Sequence, residues 1–304
     1  MDKIATIIDH YNTKTDTDNT LKSLAKIDAG KFEHAVFVVD NGSKDNYRLP
    51  KGAPPATSLI RSSTNLGFTG GNNLGFQKAI TEFNPDFFLL LNSDTLVEPN
   101  FLNLLYAELK NKPRTALVSP LIYFAPNYEY HTDSYARAER GSVIWYAGGV
   151  IDWPNLGSFH IGVDEVDRDQ FLNYPPKSDF ASGCCFLIRR EVCEAIGGFD
   201  DRFFLYYEDA DLCYRVRKAG YELSFCPEAK IWHVSGASGG GGGSPLQRYY
   251  LTRNRLLFYW RYGSLKIKIT TLRLAWRFLL GKEKTERLAA SHFFTNHYGK
   301  QVYI

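Results

Sequence analysis

Short apolar runs alternate with longer amphipathic stretches through the first third of the chain. Residues 35–39 (AVFVV) and 87–91 (FFLLL) are wholly apolar, and residues 4–8 (IATII) nearly so. Runs of that length predict strands buried on both faces. Residues 58–61 predict a weaker strand. Residues 21–27 and 71–83 have helical spacing, the second with Leu74, Ala79 and Ile80 as its apolar positions. Pro99 suits a first helical turn and opens a predicted helix that runs to residue 109. Strand and helix in alternation predict an α/β fold, with a mostly parallel sheet and helices on both faces.

The pattern loosens over residues 122–174, which are rich in Tyr, Trp, Gly and Asp and predict hairpins and loops. It sharpens again afterwards. Residues 180–188 predict a strand, 190–196 a short helix, and 208–219 a helix ended by Gly220. Residues 221–225 and 229–233 predict two strands. The run 238–244 (SGGGGGS) cannot hold regular structure and predicts a hinge. From 247 to 280, apolar and basic residues mix at helical spacing, which predicts one or two amphipathic helices. There is no internal repeat. The expected division is residues 1–244, in two halves that meet at about 120/121, followed by a basic helical segment 245–304.

Composition narrows the class. The chain has 304 residues, 44% hydrophobic and 23% charged, enough for a sizeable core and unlike a disordered chain. Five cysteines form no CxxC pair, which disfavours a disulfide framework or structural zinc and predicts a reducing compartment. The first residues lack the pattern of a secretory signal, and no apolar stretch approaches a membrane span. The expected location is cytoplasmic, free or peripheral on the inner face of the plasma membrane. The net charge of +3 hides an asymmetry: residues 245–290 carry 11 Lys/Arg against 2 Asp/Glu, and the rest of the chain 25 against 31. Such a segment suits an anionic partner, whether phospholipid, diphosphate or nucleic acid, although a solvated helix face has the same composition.

In an open parallel sheet, ligands bind beyond the carboxyl ends of the strands. Three successive strand ends carry polar clusters: Asp9-His10-Tyr11-Asn12, Asp40-Asn41-Gly42-Ser43 and Asn92-Ser93-Asp94. The run from Asn65 to Phe76 (NLGFTGGNNLGF) leads into a helix, and its amides, at Gly67 and Gly71 among others, are candidates to receive negative charge. It is neither GxGxxG nor a P-loop. Asp94, at the end of a buried strand, is a candidate ligand for a hard divalent cation, and His233 a candidate nitrogen ligand. Glu208-Asp209-Ala210-Asp211 opens a helix, where acids also serve the helix dipole. Tyr206-Tyr207 just before it predicts an aromatic-walled, acid-floored cleft suited to sugars.

Taken together these motifs resemble an inverting glycosyltransferase of family 2 with the GT-A fold. The resemblance runs from about residue 4 to 257. It is carried by Val39-Asp40-Asn41-Gly42-Ser43, Asn65 to Phe76, Leu91-Asn92-Ser93-Asp94, Ser182-Gly183 with Arg189-Arg190, Gly197-Gly198-Phe199-Asp200, Phe204 to Cys213, and Trp232-His233. The run NLGFTGGNNLGF and the tail Tyr250-Leu251-Thr252-Arg253-Asn254-Arg255 are similar to the rhamnosyltransferase-like branch. The resemblance implies that Asp40 and Tyr11 meet the pyrimidine base, and that Asn65, Gly67, Gly71 and Asn72 line the nucleotide pocket. It implies that Asp94 and His233 hold Mg²⁺ or Mn²⁺ at the diphosphate. It also makes Asp209 the general base, with Glu208 the backup. Asn92 stands where the family's metal motif has its first Asp, so the ion has one fewer charged ligand. Arg253 and Arg255 are expected at the leaving diphosphate, and Tyr206, Tyr207 and Trp153 at the acceptor.

The implied reaction moves a sugar, rhamnose among the candidates, from a dTDP- or UDP-sugar to a glycan or lipid-linked acceptor in cell-surface polysaccharide synthesis. Residues 123–174 are the expected acceptor loops, and a homodimer is one expected use of the tail's aromatics. A non-catalytic carbohydrate-binding scaffold of the same fold is the alternative, against which Asp94 and Asp209 both stand. A sugar nucleotidylyltransferase is disfavoured because residues 1–20 lack a basic, glycine-rich signature, and no nucleic-acid motif accompanies the basic tail.

Overall fold

The structure is a computed structural model that describes residues 1–173, 177–234 and 243–301. Strands β1 (Lys3–His10), β2 (Glu33–Asn41), β3 (Thr57–Ser62) and β4 (Phe87–Leu91) are joined through helices α1 (Lys14–Leu24) and α2 (Gly67–Glu82). Short β5 (Thr95–Val97), α3 (Phe101–Asn111) and β6 (Thr115–Phe124) follow. Next come β7 (Ile144–Tyr146) and the hairpin of β8 (Gly149–Asp152) with β9 (Gly157–His160). The second half holds β10 (Cys185–Arg189), α4 (Arg190–Ala195), α5 (Glu208–Lys218) and β11 (Glu222–His233). Three helices end it: α6 (Pro245–Tyr262), α7 (Leu265–Leu279) and α8 (Lys284–Phe294).

Nine strands make one sheet in the order β3-β2-β1-β4-β10-β6-β11-β5, with β7 against β6. The β3-β2-β1-β4 half is parallel, and β10 enters antiparallel to both its neighbours. Alternate residues of β1 serve opposite faces. Ile4 and Ile8 pack with Leu21 and Leu24 of α1 and Leu105 of α3. Ala5 and Ile7 pack with Phe76 and Ala79 of α2 and Leu212 and Val216 of α5. Gly75 lets α2 lie directly on β1, because a Cβ there would stand 2.4 Å from Ile7 Cγ2.

Several elements differ from the sequence expectation. Helix α1 begins at Lys14, not 21, because its inward stripe includes Thr17 and Thr20 beside Leu21 and Leu24. Strand β6 is buried along its whole length, although residues from 122 onward read as loops. The strands expected over 221–225 and 229–233 are one strand, β11, which starts at Glu222 and whose register against β6 shifts between Cys226 and Lys230, around Pro227. The strand expected over 180–188 begins only at Cys185 and runs to Arg189. Helix α8 lies within the helical segment expected over 245–304, past the one or two helices expected over 247–280. Most of the glycine hinge 238–244 lies outside the described residues. Ser244 caps α6, its Oγ accepting from Gln247 N at 3.2 Å. All five cysteines are free and buried.

Candidate active site

The carboxyl ends of β1, β2 and β4 meet at one edge of the sheet. Beyond β4 the chain turns through Asn92-Ser93-Asp94 and returns as β5, which pairs antiparallel with β11 so that Thr95 faces His233. Val234 N donates to Asp94 O at 2.8 Å. That register brings His233 Nε2 to 3.2 Å from Asp94 Oδ1, with both residues buried. The His233 ring also packs edge-to-face with Trp145, with centroids 4.6 Å apart. Among the described residues no three His, Cys, Asp or Glu side chains converge as a metal centre. Asp94 and His233 offer one oxygen and one nitrogen donor, which fits a hard cation whose remaining ligands come from outside the chain.

At the neighbouring strand ends, Asp40 is buried and already engaged. Its Oδ2 accepts from Arg61 Nη1 at 2.8 Å across the β2–β3 pair, and its Oδ1 from Ser43 N at 3.1 Å. Each oxygen keeps a lone pair for a further donor. Asn12 N donates to Ser43 Oγ at 3.0 Å and Lys44 N to Asn12 Oδ1 at 2.9 Å, tying the β1 and β2 loops together. Tyr11 stands exposed on that platform.

The glycine-rich run is itself the start of α2, and contrary to expectation its first amides are occupied. Leu66 N donates to Asn41 Oδ1 at 2.8 Å, Gly67 N to Asn65 Oδ1 at 2.7 Å, and Thr69 N to Phe204 O at 3.3 Å. Asn72 is buried with its Nδ2 on Phe68 O at 2.8 Å, inside its own helix. Gly67 and Gly71 serve close packing. Gly67 has φ +75°, and a Cβ there would meet the Phe204 ring at 2.3 Å. One on Gly71 would meet Asp9 Oδ1 at 2.3 Å and Asn41 Nδ2 at 2.7 Å. Asn41 anchors this corner, its Nδ2 reaching Gly67 O at 3.0 Å and Asp9 Oδ2 at 3.3 Å. Burial pushes the Asp9 carboxyl up to about 8, with Asp40 nearby adding to the effect.

Helix α5 opens with Glu208, Asp209 and Asp211 in its first turn, where the dipole favours acids. The Asp209 carboxylate accepts from Gly183 N at 3.0 Å and from Ala210 N at 2.7 Å. Residue 183 precedes Cys184, whose carbonyl accepts from Asn92 N at 2.9 Å. The turn that holds Asp209 is thus bonded to the turn that leads to Asp94. Burial raises the pKa of Asp209 and raises that of Glu208 well above the usual carboxylate range, Asp209 adding to the second. The two backbone N–H bonds oppose the rise at Asp209, whereas Glu208 Oε2 is buried with no hydrogen-bond partner among the described residues. Unequal support separates the pair, so Asp209 ionises before Glu208.

The loop before α5 is strained. Phe204, Tyr206 and Tyr207 have φ of 64°, 68° and 68°, left-handed values that cost non-glycine residues about 1–3 kcal/mol each. Two neighbours on α6 hold it. Asn254 Nδ2 lies 2.8 Å from each of the carbonyls of Phe203, Leu205 and Tyr206. Arg253 Nη2 donates to Arg202 O and Phe203 O at 3.0 Å, and its Nη1 to Gly299 O at 2.7 Å. Arg253 is fully buried between Tyr249 and Tyr250. It is therefore a clamp on the loop, not a free cation at a diphosphate as expected. Arg255 likewise donates to the carbonyls of Asn155 and Leu156. Trp153 stacks on Phe258 at 5.7 Å, and Tyr207 packs on the same ring at 5.8 Å, so both are first of all packing residues. Tyr206 remains half-buried. Asn41 and Asn254 stand inside the sequence motifs, but neither was given a role of its own. Their signal is an Asn flanked by motif residues, which composition alone does not separate from a turn or a helix surface.

Comparison with known proteins agrees with this architecture. Residues 3–251 match the family described as "Glycosyltransferase like family 2". The chain is 26% identical over 257 residues to the low-salt glycan biosynthesis hexosyltransferase Agl10 of Haloferax volcanii, covering 84% of this chain and 75% of that protein. It is 26% identical over 218 residues to an N-acetylglucosaminyl-diphospho-decaprenol L-rhamnosyltransferase of Mycobacterium tuberculosis, covering 68% of each. Among solved structures it is similar to GalNAc-T7 with UDP, GalNAc and Mn²⁺, with TM-score 0.65 and 16% identity, covering 98% of this chain and 55% of that one. The mannosyltransferase PcManGT of Pyrobaculum calidifontis with GDP-Man and Mn²⁺ gives TM-score 0.54 and 14% identity, covering 98% and 76%. The fold is GT-A, and the chain belongs to glycosyltransferase family 2.

Proposed function

We propose that this transferase moves a sugar from a nucleotide diphosphate sugar to a hydroxyl of a glycan or lipid-linked acceptor with inversion at the anomeric carbon. A dTDP- or UDP-sugar is the favoured donor and rhamnose the favoured sugar, in keeping with the rhamnosyl- and hexosyltransferase relatives. The observation that carries the reading is Asp209, ionisable and held by two backbone N–H groups on a turn bonded to the Asp94 corner.

Asp209 takes the proton of the acceptor hydroxyl. The acceptor oxygen forms a bond to the anomeric carbon as the bond to the diphosphate oxygen breaks, and the electron pair leaves with the diphosphate. Burial favours the neutral form of Glu208, which adds no second negative charge beside the base. Asp40 and Tyr11 receive the base of the nucleotide, and Asn65 and Asn92 border the diphosphate. Asp94 and His233 would hold a Mg²⁺ or Mn²⁺ ion, which when bound supplies positive charge to the leaving group. Tyr206 faces the acceptor. The proposed site of action is the cytoplasmic side of the membrane, in cell-surface polysaccharide synthesis, and five free thiols accord with a reducing compartment.

A thermal-shift screen of nucleotide sugars with and without Mn²⁺, followed by product analysis at the anomeric centre, tests the reading. Stabilisation by one donor class and a product of inverted configuration are expected. A product of retained configuration would overturn it.

A further inference from the structure

The 11 cations of residues 245–290 separate into two groups. Arg253 and Arg255 bond carbonyls, Arg261 Nη1 contacts Asp200 at 2.6 Å and Asp211 at 3.1 Å, and Arg248 lies 3.7 Å from Glu283. The other seven, between Lys266 and Arg287, make no ion pair among the described residues. Four of them stand on α7, which has no acidic residue.

Helix α7 packs one face on α6 and α8 through Thr271 and Ala275. Its outward side carries Leu265, Ile269, Trp276 and, at its end, Leu280, which are 76%, 43%, 53% and 79% exposed; one edge of this ridge meets α8, where Trp276 lies 5.2 Å from the Phe294 ring. At 100° per residue these four fall within an arc of about 60°, with Lys266, Arg273 and Arg277 along one flank and Lys268 on the other. Four large apolar side chains in register are more than a solvated face requires. Leu256 and Phe258 of α6 turn fully inward, whereas Trp276 stays half-exposed beside Phe294 of α8.

We infer that α7 is a membrane-contact helix that lies along an anionic phospholipid surface, its apolar ridge among the acyl chains and its cations at the headgroups. No helix among the described residues is long and apolar enough to cross a membrane, so the contact is along the surface. Charge selects lipid over a second copy of the chain, because a two-fold contact through this face would set the same unpaired cations against each other. The inference stands apart from the transfer reaction.

Co-sedimentation of the full chain with vesicles tests it. On 1:1 phosphatidylglycerol/phosphatidylcholine in 50 mM NaCl the protein is expected to pellet. Partitioning should be at least about tenfold weaker on phosphatidylcholine alone or in 500 mM NaCl. Trp276→Ser with Leu280→Ser should lower it about tenfold, and Lys266→Glu with Arg273→Glu and Arg277→Glu by more. All five positions are exposed, and an unchanged melting temperature verifies folding. A blue shift of tryptophan emission on the anionic vesicles, lost in Trp276→Ser, is the second readout. Protein that stays in the supernatant with anionic vesicles at 50 mM NaCl overturns the inference. So does binding insensitive to both sets of substitutions, or a lipid-free dimer that Trp276→Ser dissociates.

Discussion

Asn254→Ala isolates the clamp on the strained loop. One amide nitrogen lies 2.8 Å from three carbonyls, yet it has only two hydrogens to share among them. Two neutral hydrogen bonds are worth about 2 kcal/mol, and leaving buried carbonyls unpaired adds about 1 kcal/mol. An unfolding entropy of about 2.1 cal/mol/K per residue gives about 0.6 kcal/mol/K for 304 residues, so a loss of 3 kcal/mol lowers Tm by about 5 °C. The catalytic effect should exceed the effect on stability. Phe204, Tyr206 and Tyr207 relax from their left-handed conformations once the amide is gone, and Tyr207 is the residue on which α5 starts. A shift of about 1 Å in Asp209 costs about 10²-fold in turnover. Asn254→Asp should be worse than alanine, since it turns an anionic oxygen toward three carbonyls. Scanning fluorimetry and transfer rates at 25 °C, well below both melting points, separate the two effects. A Tm within 1 °C of the parent and turnover within twofold would refute the clamp.

Asp9→Asn should stabilise the fold, and more so as pH rises. The folded carboxyl is raised to about 8 against an ordinary value near 3.8, so its ionisation opposes folding: the stability it permits is complete below about pH 4 and lost as pH climbs to 8. The Tm gain over the parent should be several degrees larger at pH 8 than at pH 5, and equal gains would discount the buried acid. Gly67→Ala should cost about 2–4 kcal/mol in a denaturant titration, from the left-handed φ and the Phe204 ring, unless that ring can swing aside. Asp94→Ala should abolish Mn²⁺-dependent binding of the nucleotide diphosphate, and Asn92→Asp should tighten it by adding an anionic ligand, both read by calorimetry. Binding unaffected by EDTA would remove the ion from the account.

What the sequence made legible follows from how each element is buried. Strands β2 and β4 are covered on both faces, so they read as continuous apolar runs, and the polar clusters that end them mark the ligand edge directly. Strand β6 is equally covered, but Ser119 and Pro120 interrupt its pattern, and Thr115 begins it with a hydroxyl. The division of β11 was a misreading of a register shift as a turn. Helix α1 hid because threonines carry half of its inward stripe. The Asp209 motif was visible locally, whereas its support was not: Gly183 is 26 residues away and Asn254 about 50 from the carbonyls it holds. Arg253 misled for a related reason. A cation in a basic tail reads as exposed, and only the packed fold reveals that Tyr249 and Tyr250 enclose it. The glycine run suggested an open anion cradle, but Asn41 and Asn65, one from another strand, occupy its amides.

The central claim is that Asp209 is the base, and Asp209→Asn tests it most directly. The amide keeps an oxygen for one of the two N–H donors, so the fold and nucleotide binding should persist, but it cannot accept the acceptor proton. With the donor sugar found by screening, nucleotide affinity should stay within about threefold of the parent, and transfer should fall by about 10²- to 10⁴-fold. Glu208→Gln should have a smaller effect on transfer, because burial favours the neutral form of Glu208. Near-parental transfer by Asp209→Asn, with Glu208→Gln inactive, would contradict the assignment and give the base to Glu208.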